Sequence, residues 1–403
     1  MSSSVIVIGA GPAGAAAAIE LRRHGHNVTM LDKATFPRDK CCGDGLTASA
    51  LRHLEDLGLQ PSSIPSWKPV RDVWLHRPSG AQMAFPLPRG QGQFGATARR
   101  EELDAALVNL ARSRGATVHE GVAMSGIDLI EDHVVVHTDS SADGAGVIEA
   151  DWCIAADGMW SPTRKALGLG DGPYLGEWHA FRQYYENVSE RAAQDLFVWF
   201  EPDLLPGYAW SFPLPDGCAN IGFGVLRGKH RTRDMAEIWR GLLDRPHIRA
   251  VIGPDAVAEA PHRAWPIPAR VGQVALSAHR VLFVGDAAAA CDPMTGEGIG
   301  QALQTGQSAA AAIVNGTTTV AAVTAAYEHD IETHLAVDMR FAAMLGGVLR
   351  TERGAEWSLA TAGMTGWTSR NFARWLFEDY PRAVLGTPRR WRRDLFTESG
   401  AFG

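Results

Sequence analysis

Val5-Ile6-Val7-Ile8-Gly9-Ala10-Gly11-Pro12-Ala13-Gly14, with Asp32 further on, is the stretch that decides how this chain begins to fold. Four β-branched residues end at Gly9, and the alanine-rich segment from Ala13 onward reads as a helix that stops near Gly25. Val28-Thr29-Met30-Leu31 then reads as a second strand, so the opening is a βαβ unit and predicts a parallel sheet with helices on its faces. In this G-x-G-x-x-G, Gly9 permits the tight turn, Gly11 lets a pyrophosphate approach the backbone, and Gly14 lets the helix pack on the strand. The N–H groups of the helix start then face phosphate. Asp32 closes the second strand, where a carboxylate can hold ribose hydroxyls. Taken alone, the motif fits FAD and NAD equally.

Working outward, Arg100 to Ala111 is a second helical pattern with Leu103, Leu107 and Leu110 on one face, and it leads into the short strand Thr117-Val118-His119. Residues near Trp67 to Pro88 and Trp178 to Leu226 instead show short alternating runs broken by turn residues. Leu196 to Phe200, Tyr208 to Phe212 and Asn220 to Val225 are three such runs, with Pro215-Asp216-Gly217 turning between the last two, which predicts antiparallel sheet. A buried strand from Val281 to Gly285 precedes a long helix from about Gly298, and the chain beyond about Ala325 reads as helical. The predicted fold is therefore α/β: a discontinuous Rossmann-like nucleotide-binding domain over 1–65, 95–170 and 270–325, an inserted antiparallel β-sheet substrate domain over 66–94 and 171–269, and a helical C-terminal region over 326–403.

A chain of 403 residues exceeds the ~250–300 at which single cores stop growing, so more than one domain is expected. A formal net charge of −7 offers no general attraction to nucleic acid, which is dropped as a partner. Five scattered cysteines, Cys41 and Cys42 adjacent, point to a reducing, cytoplasmic setting. Ser4 to Ala18 is apolar but lacks a basic leader and contains three glycines and a proline, so it is not read as a signal peptide. Apolar runs of the ~20 residues a membrane span needs do not occur, so any membrane contact is expected to be peripheral. The histidines have no ligand spacing, and no metal is expected.

Two later segments separate the nucleotides. Ala156-Asp157-Gly158-Met159-Trp160-Ser161-Pro162-Thr163-Arg164, and Gly285-Asp286-Ala287-Ala288 with Pro293-Met294-Thr295-Gly296-Glu297-Gly298-Ile299, resemble the A-D-G-x-x-S-x-x-R and G-D-A-A-x-x-x-x-P-x-x-G-x-G of the flavoprotein hydroxylase superfamily. The resemblance implies FAD, with Asp286 on the ribitol chain and N–H groups near Gly298 and Ile299 at the N1–C2=O edge of the flavin. Arg100 and Asp104 match that superfamily's R-x-x-x-D helix, whose arginine lies against the cofactor; an exposed i, i+4 salt bridge is the other reading. The implied cofactor set is Gly9, Gly11, Pro12, Ala13, Gly14, Asp32, Lys33, Arg100, Val122, Asp157, Gly285, Asp286, Gly296, Gly298 and Ile299.

Phe36-Pro37-Arg38-Asp39-Lys40-Cys41-Cys42-Gly43-Asp44-Gly45 and Tyr208-Ala209-Trp210-Ser211-Phe212-Pro213 narrow the resemblance to the geranylgeranyl reductase family, flavoenzymes that saturate isoprenoid double bonds. Cys41 stands where relatives often carry proline. Cys42, Tyr208 and Trp210 become the candidate catalytic residues, although Tyr208 and Trp210 share a strand face and core packing alone would also explain them. The implied activity is hydride transfer from reduced flavin to a prenyl alkene, with a hydrophobic small molecule as substrate. NAD(P)H, ferredoxin or a flavin reductase would donate the electrons, and a second G-x-G-x-x-G for a separate nicotinamide domain is absent. Two rivals remain. A monooxygenase or halogenase could use the same scaffold, with Lys68 available, but the halogenase W-x-W-x-I-P has Tyr208 and Phe212 at its first and fifth positions. A non-catalytic redox sensor could use Cys41 and Cys42. The tail Arg389-Arg390-Trp391-Arg392-Arg393, near Trp375, Leu376 and Phe377, reads either as a solvated basic end or as a contact to anionic lipid.

Overall fold

The computed structural model describes residues 2–403 apart from 91, 140–145, 171, 229–231, 316–318 and 392–396. Ser4–Ile8, Pro12–Arg23 and Asn27–Asp32 form the expected strand, helix and strand, with Ser4–Ile8 at the centre of a six-stranded sheet. The strand order is Ser277–Ala278, Val281–Phe283, Trp152–Ala155, Ser4–Ile8, Asn27–Asp32, Thr117–Glu120, and every pairing is parallel except that of the short edge strand Ser277–Ala278. Residues from three distant parts of the chain thus share this sheet.

The alanines of the first helix explain its position. Ala15, Ala16, Ala17 and Ala18 are fully buried, so the helix lies close to both the sheet and the helix Ile299–Asn315. That approach also requires Gly306, where a Cβ would stand 2.2 Å from the carbonyl oxygen of Ala13. At Gly14 a Cβ would stand 1.9 Å from the Gly9 oxygen.

The second large sheet runs Val257–Ala258, Trp178–Glu186, Ala219–Leu226, Tyr208–Pro213, Leu196–Trp199, Asp72–His76, Gln82–Pro86, with Arg263–Ile267 also paired to Trp178–Glu186. It is antiparallel except that Leu196–Trp199 runs parallel to Asp72–His76. The long passage through the first sheet between residues 76 and 196 supplies the crossover that a parallel pair requires, a feature the local run pattern does not reveal. Helices Thr232–Leu243 and Pro246–Ile252 were also not anticipated; Met235, Trp239, Leu242, Ile248 and Val251 cover Phe181, Phe223 and Ile221 on one face of this sheet. A three-stranded meander, Met124–Leu129, Val134–Thr138 and Val147–Ala150, is a further addition.

The C-terminal region is helical as expected: Val320–Ile331, Val337–Val348, Glu352–Ala362 and Gly366–Leu376. Its last helix packs on the edge strand Gln82–Pro86, with Phe85 and Phe372 ring centroids 5.2 Å apart. In the basic tail, Arg390 is committed to Asp338 at 2.9 Å and Trp391 is largely exposed, while Arg392 and Arg393 lie outside the described residues. Among the described residues no helix is long and apolar enough to cross a membrane.

Candidate active site

One cavity of about 950 Å³ runs from the glycine turn of the first sheet to the aromatic strand of the second and on to the C-terminal helices. Every residue of the sequence-derived site set lines it except Gly14, which packs helix on strand instead. At one end, Gly9 has φ 101° and would drive a Cβ to 2.2 Å from the Ala156 oxygen, so the turn excludes any side chain. Gly11 differs: a Cβ there meets only the Arg38 guanidinium, at 3.5 Å, so its missing side chain leaves room on the cavity side for a ligand. Asp32 accepts the Ala10 N–H at 2.8 Å and the Ala34 N–H at 2.8 Å, which fixes its carboxylate beside the turn. Lys33 and Val122 complete this end of the lining. An open backbone cradle beside a fixed carboxylate fits the pyrophosphate and ribose of FAD.

Asp157 lines the next part of the cavity. Its carboxylate accepts the Ser161 hydroxyl at 2.6 Å and the Thr163 N–H at 2.8 Å, holding the Ala156–Thr163 turn against the cavity. Farther along, Asp286 faces Lys40 at 3.3 Å and accepts the Cys291 thiol at 3.4 Å. Gly296, Gly298 and Ile299 lie where the helix Ile299–Asn315 begins, and a helix start brings unpaired N–H groups and about half a positive charge to the cavity. That is the environment a reduced flavin's anionic edge requires.

Arg100 is not an exposed surface pair. It is buried and bidentate to the fully buried Asp104, both contacts at 2.9 Å, and Arg38 joins the same carboxylate at 2.9 Å. Two guanidiniums on one carboxylate leave a net positive charge at the cavity wall.

The Cys42–Gly45 loop and the strand Tyr208–Pro213 are two motifs that the fold brings face to face. A Cβ on Gly43 would lie 3.3 Å from the Phe212 ring, and one on Gly45 3.0 Å from it, so both glycines admit the aromatic wall. Asn220, which the sequence reading did not single out, joins the two. Its amide donates to the Cys42 carbonyl and to Asp44, each at 2.8 Å, while its oxygen accepts the Trp210 indole N–H at 3.1 Å. The only signal was its position at the start of a strand predicted for the substrate sheet. Tyr208 and Trp210 both line the cavity; the Tyr208 hydroxyl donates to the Thr295 carbonyl, tying the aromatic strand to the glycine loop. Lys68 does not line the cavity and donates to the Leu214 carbonyl at 3.2 Å.

Several groups here titrate abnormally. Burial pushes the Asp44 carboxyl up to about 6, although Asn220 and the Tyr184 hydroxyl hydrogen-bond to its charged form. Burial also raises both adjacent thiols, Cys41 to about 12, which disfavours thiolate. The thiols serve different partners: Cys41 donates to the Arg263 carbonyl at 3.5 Å, and Cys42 sulfur accepts the Asp44 N–H at 3.4 Å.

Comparison with known proteins agrees with this geometry. A family model described as an FAD binding domain matches residues 2–330. Menaquinone reductase of Mycobacterium tuberculosis is 35% identical over 344 residues, covering 77% of this chain and 76% of that protein. Digeranylgeranylglycerophospholipid reductase 1 of Methanopyrus kandleri is 31% identical over 322 residues, covering 77% of this chain and 80% of that protein. A geranylgeranyl bacteriochlorophyll reductase-like protein from Thermoplasma acidophilum has the same fold, with TM-score 0.79 at 20% identity over 97% of this chain and 99% of that one.

Proposed function

The chain belongs to the FAD binding domain family, and within it to the geranylgeranyl reductase group of FAD-dependent oxidoreductases; from that premise we propose that it saturates carbon–carbon double bonds of a prenyl substrate. The observation that carries this reading is the continuity of the cavity. Beyond the flavin end it is walled by Tyr208, Trp210 and Phe212 on one side and by Leu345, Leu349, Leu359 and Phe372 of the C-terminal helices on the other. An apolar passage of this kind accepts an isoprenoid chain and excludes water from an alkene that resists hydride.

In this reading Gly9, Gly11, Pro12, Ala13, Asp32, Lys33 and Val122 hold the nucleotide half of FAD, and Asp286 holds the ribitol. Bound FAD, once reduced, supplies a hydride. The helix start at Gly298 and Ile299 and the Arg38–Arg100 pair favour negative charge beside it. Trp210, locked by Asn220, and Tyr208, locked by Thr295, act as rigid walls that orient the alkene, and Cys42 contributes a neutral thiol to the same face. The halogenase alternative is disfavoured because Lys68 is spent on a backbone carbonyl outside the cavity, and the thiol-sensor alternative because both thiols are held protonated and separately bonded.

The same C-terminal helices suggest how a lipid-borne chain enters. Met344, Trp357, Met364 and Trp367 are largely exposed, and Val348 is both exposed and part of the cavity lining. Residues 337–391 carry eight arginines against five carboxylates in a chain of net charge −7. We infer a peripheral contact with an anionic bilayer through this region.

The deciding test of the chemistry is an anaerobic single turnover of photoreduced holoenzyme with polyprenyl substrates, read by mass spectrometry. A product heavier by hydrogen is expected. A product that forms only with oxygen present, with no saturated species in its absence, overturns the reductase reading in favour of a monooxygenase.

A further inference from the structure

Reduction of an alkene requires a proton in addition to the hydride, and no motif of the sequence names its source. We propose that Glu297 is the catalytic acid, carrying a proton on its side-chain carboxyl and delivering it to the alkene carbon that does not receive hydride. The proposal rests on the reductase reading above and adds the missing residue to it.

The geometry isolates Glu297 among the acids at the cavity. It lines the cavity, its carboxyl is buried, and its Oε2 has no hydrogen-bond partner although it is shielded from solvent. Its Oε1 lies 3.9 Å from the position a Cβ on Gly45 would take, so the carboxyl stands where the Cys42–Gly45 loop meets the Phe212 ring. The other candidates are occupied. Tyr208 donates its proton to the Thr295 carbonyl, and Asp44 accepts hydrogen bonds from Tyr184, Asn220 and the Arg100 N–H. Glu378 accepts from Gln301 at 2.8 Å and from Thr47 at 3.2 Å, and neither Glu378 nor Asp292 lines the cavity.

The surroundings favour the protonated form. Burial raises its affinity for a proton most, and Glu378, from the turn after the last long helix, and Asp292, from Glu297's own loop, add to it. Arg382 from the tail and Arg100 from the helix Arg100–Ser113 oppose this, but Arg382 is shared with Glu378 at 3.4 Å and Asp292 at 3.7 Å, and Arg100 is committed to Asp104. Cys42, Tyr208 and Cys291 also feel the Glu297 charge. Burial and the two carboxylates win, and Glu297 is pushed up to about 8, so at neutral pH most molecules carry the proton. An acid matched to the working pH is the efficient kind.

The step balances. Reduced flavin supplies two electrons and one hydrogen as hydride to one alkene carbon, Glu297 supplies one proton to the other, and the carboxylate left behind takes its proton back from solvent as product leaves. Arg382 and Arg100 stabilise that carboxylate in the interval.

The test compares wild-type holoenzyme with Glu297→Gln. The variant should keep FAD and the fold while its single-turnover rate on a polyprenyl substrate falls about 100-fold or more, within the range general acids contribute. The wild-type rate should fall as pH rises through about 8, and that limb should vanish in the variant. A readout independent of turnover is the infrared carboxylic C=O band, present in wild type at neutral pH and lost in Glu297→Gln. Stability supplies another: because the folded carboxyl holds its proton more tightly than the unfolded one, wild type loses stability as pH rises toward and through about 8, and the variant should lose less. Unchanged turnover in Glu297→Gln, or no carboxylic band to lose, overturns the assignment. A wild type that shows the band but saturates no prenyl substrate overturns the reductase reading, and with it the proton's destination.

Discussion

At the scale of single residues, the site is built by removing alternatives. Asp32 is fixed by two N–H groups, Asp157 by Ser161 and Thr163, and Asp104 by two guanidiniums, which leaves Asp286 as the least encumbered carboxylate at the ribitol end, facing only Lys40 and a thiol. A carboxylate so placed is free to accept ribitol hydroxyls. Each charge-assisted hydrogen bond is worth about 1.5–3 kcal/mol, so Asp286→Ala should weaken FAD at least tenfold. Titrating apo-protein with FAD by fluorescence quenching reads this directly, and wild-type affinity in the variant would remove Asp286 from the cofactor set.

Elements explain what could be read in advance and what could not. The glycine turn was legible because every requirement is local: Gly9, Gly11 and Gly14 act within six residues, and the strand and helix around them have clean patterns. The aromatic strand was legible as a strand, but not its partners. Asn220 meets Cys42 and Asp44 across more than 170 residues, and the burial of Glu297 beside Glu378 depends on the C-terminal region folding back over the cavity. Spacing within a segment carries no record of such contacts. The parallel pair of Leu196–Trp199 with Asp72–His76 escaped for the same reason. Register supplies the prediction at this scale. Gly222 lies opposite Trp210, and a Cβ there would stand 2.3 Å from the indole and 2.3 Å from the Phe181 oxygen. Gly222→Ala must therefore displace the ring that Asn220 holds. Overpacking of this kind costs about 1–3 kcal/mol. The variant should melt lower and retain FAD, since the nucleotide cradle belongs to the other sheet, while its reaction with prenyl substrate slows. Unaltered melting would mean that the strand yields without moving Trp210.

For the whole molecule, the cavity, the charge distribution and the exposed apolar residues converge on the C-terminal helices. The chain is acidic overall, yet Arg350, Arg353, Arg370 and Arg389 are exposed in this region, as are Trp357, Met364 and Trp367. Tryptophan prefers the bilayer interface, and each basic residue near an anionic surface adds about 1 kcal/mol of attraction, so the two contributions reinforce each other, opposed within residues 337–391 by the exposed Glu352 and the half-buried Glu356. Glu356 is already paired with Arg77 at 3.0 Å, which further reduces the repulsion. Holoenzyme should therefore sediment with vesicles containing phosphatidylglycerol and much less with pure phosphatidylcholine, and added salt should release it. Replacing Trp357 and Trp367 together by Ser should reduce the bound fraction severalfold without changing FAD content, because neither indole lines the cavity. Turnover separates this contact from a partner protein at the same surface: the double variant should lose rate on vesicle-borne substrate while keeping it on a short, detergent-dispersed prenyl substrate. Equal sedimentation of variant and wild type with anionic vesicles would mean that the tryptophans face something other than lipid.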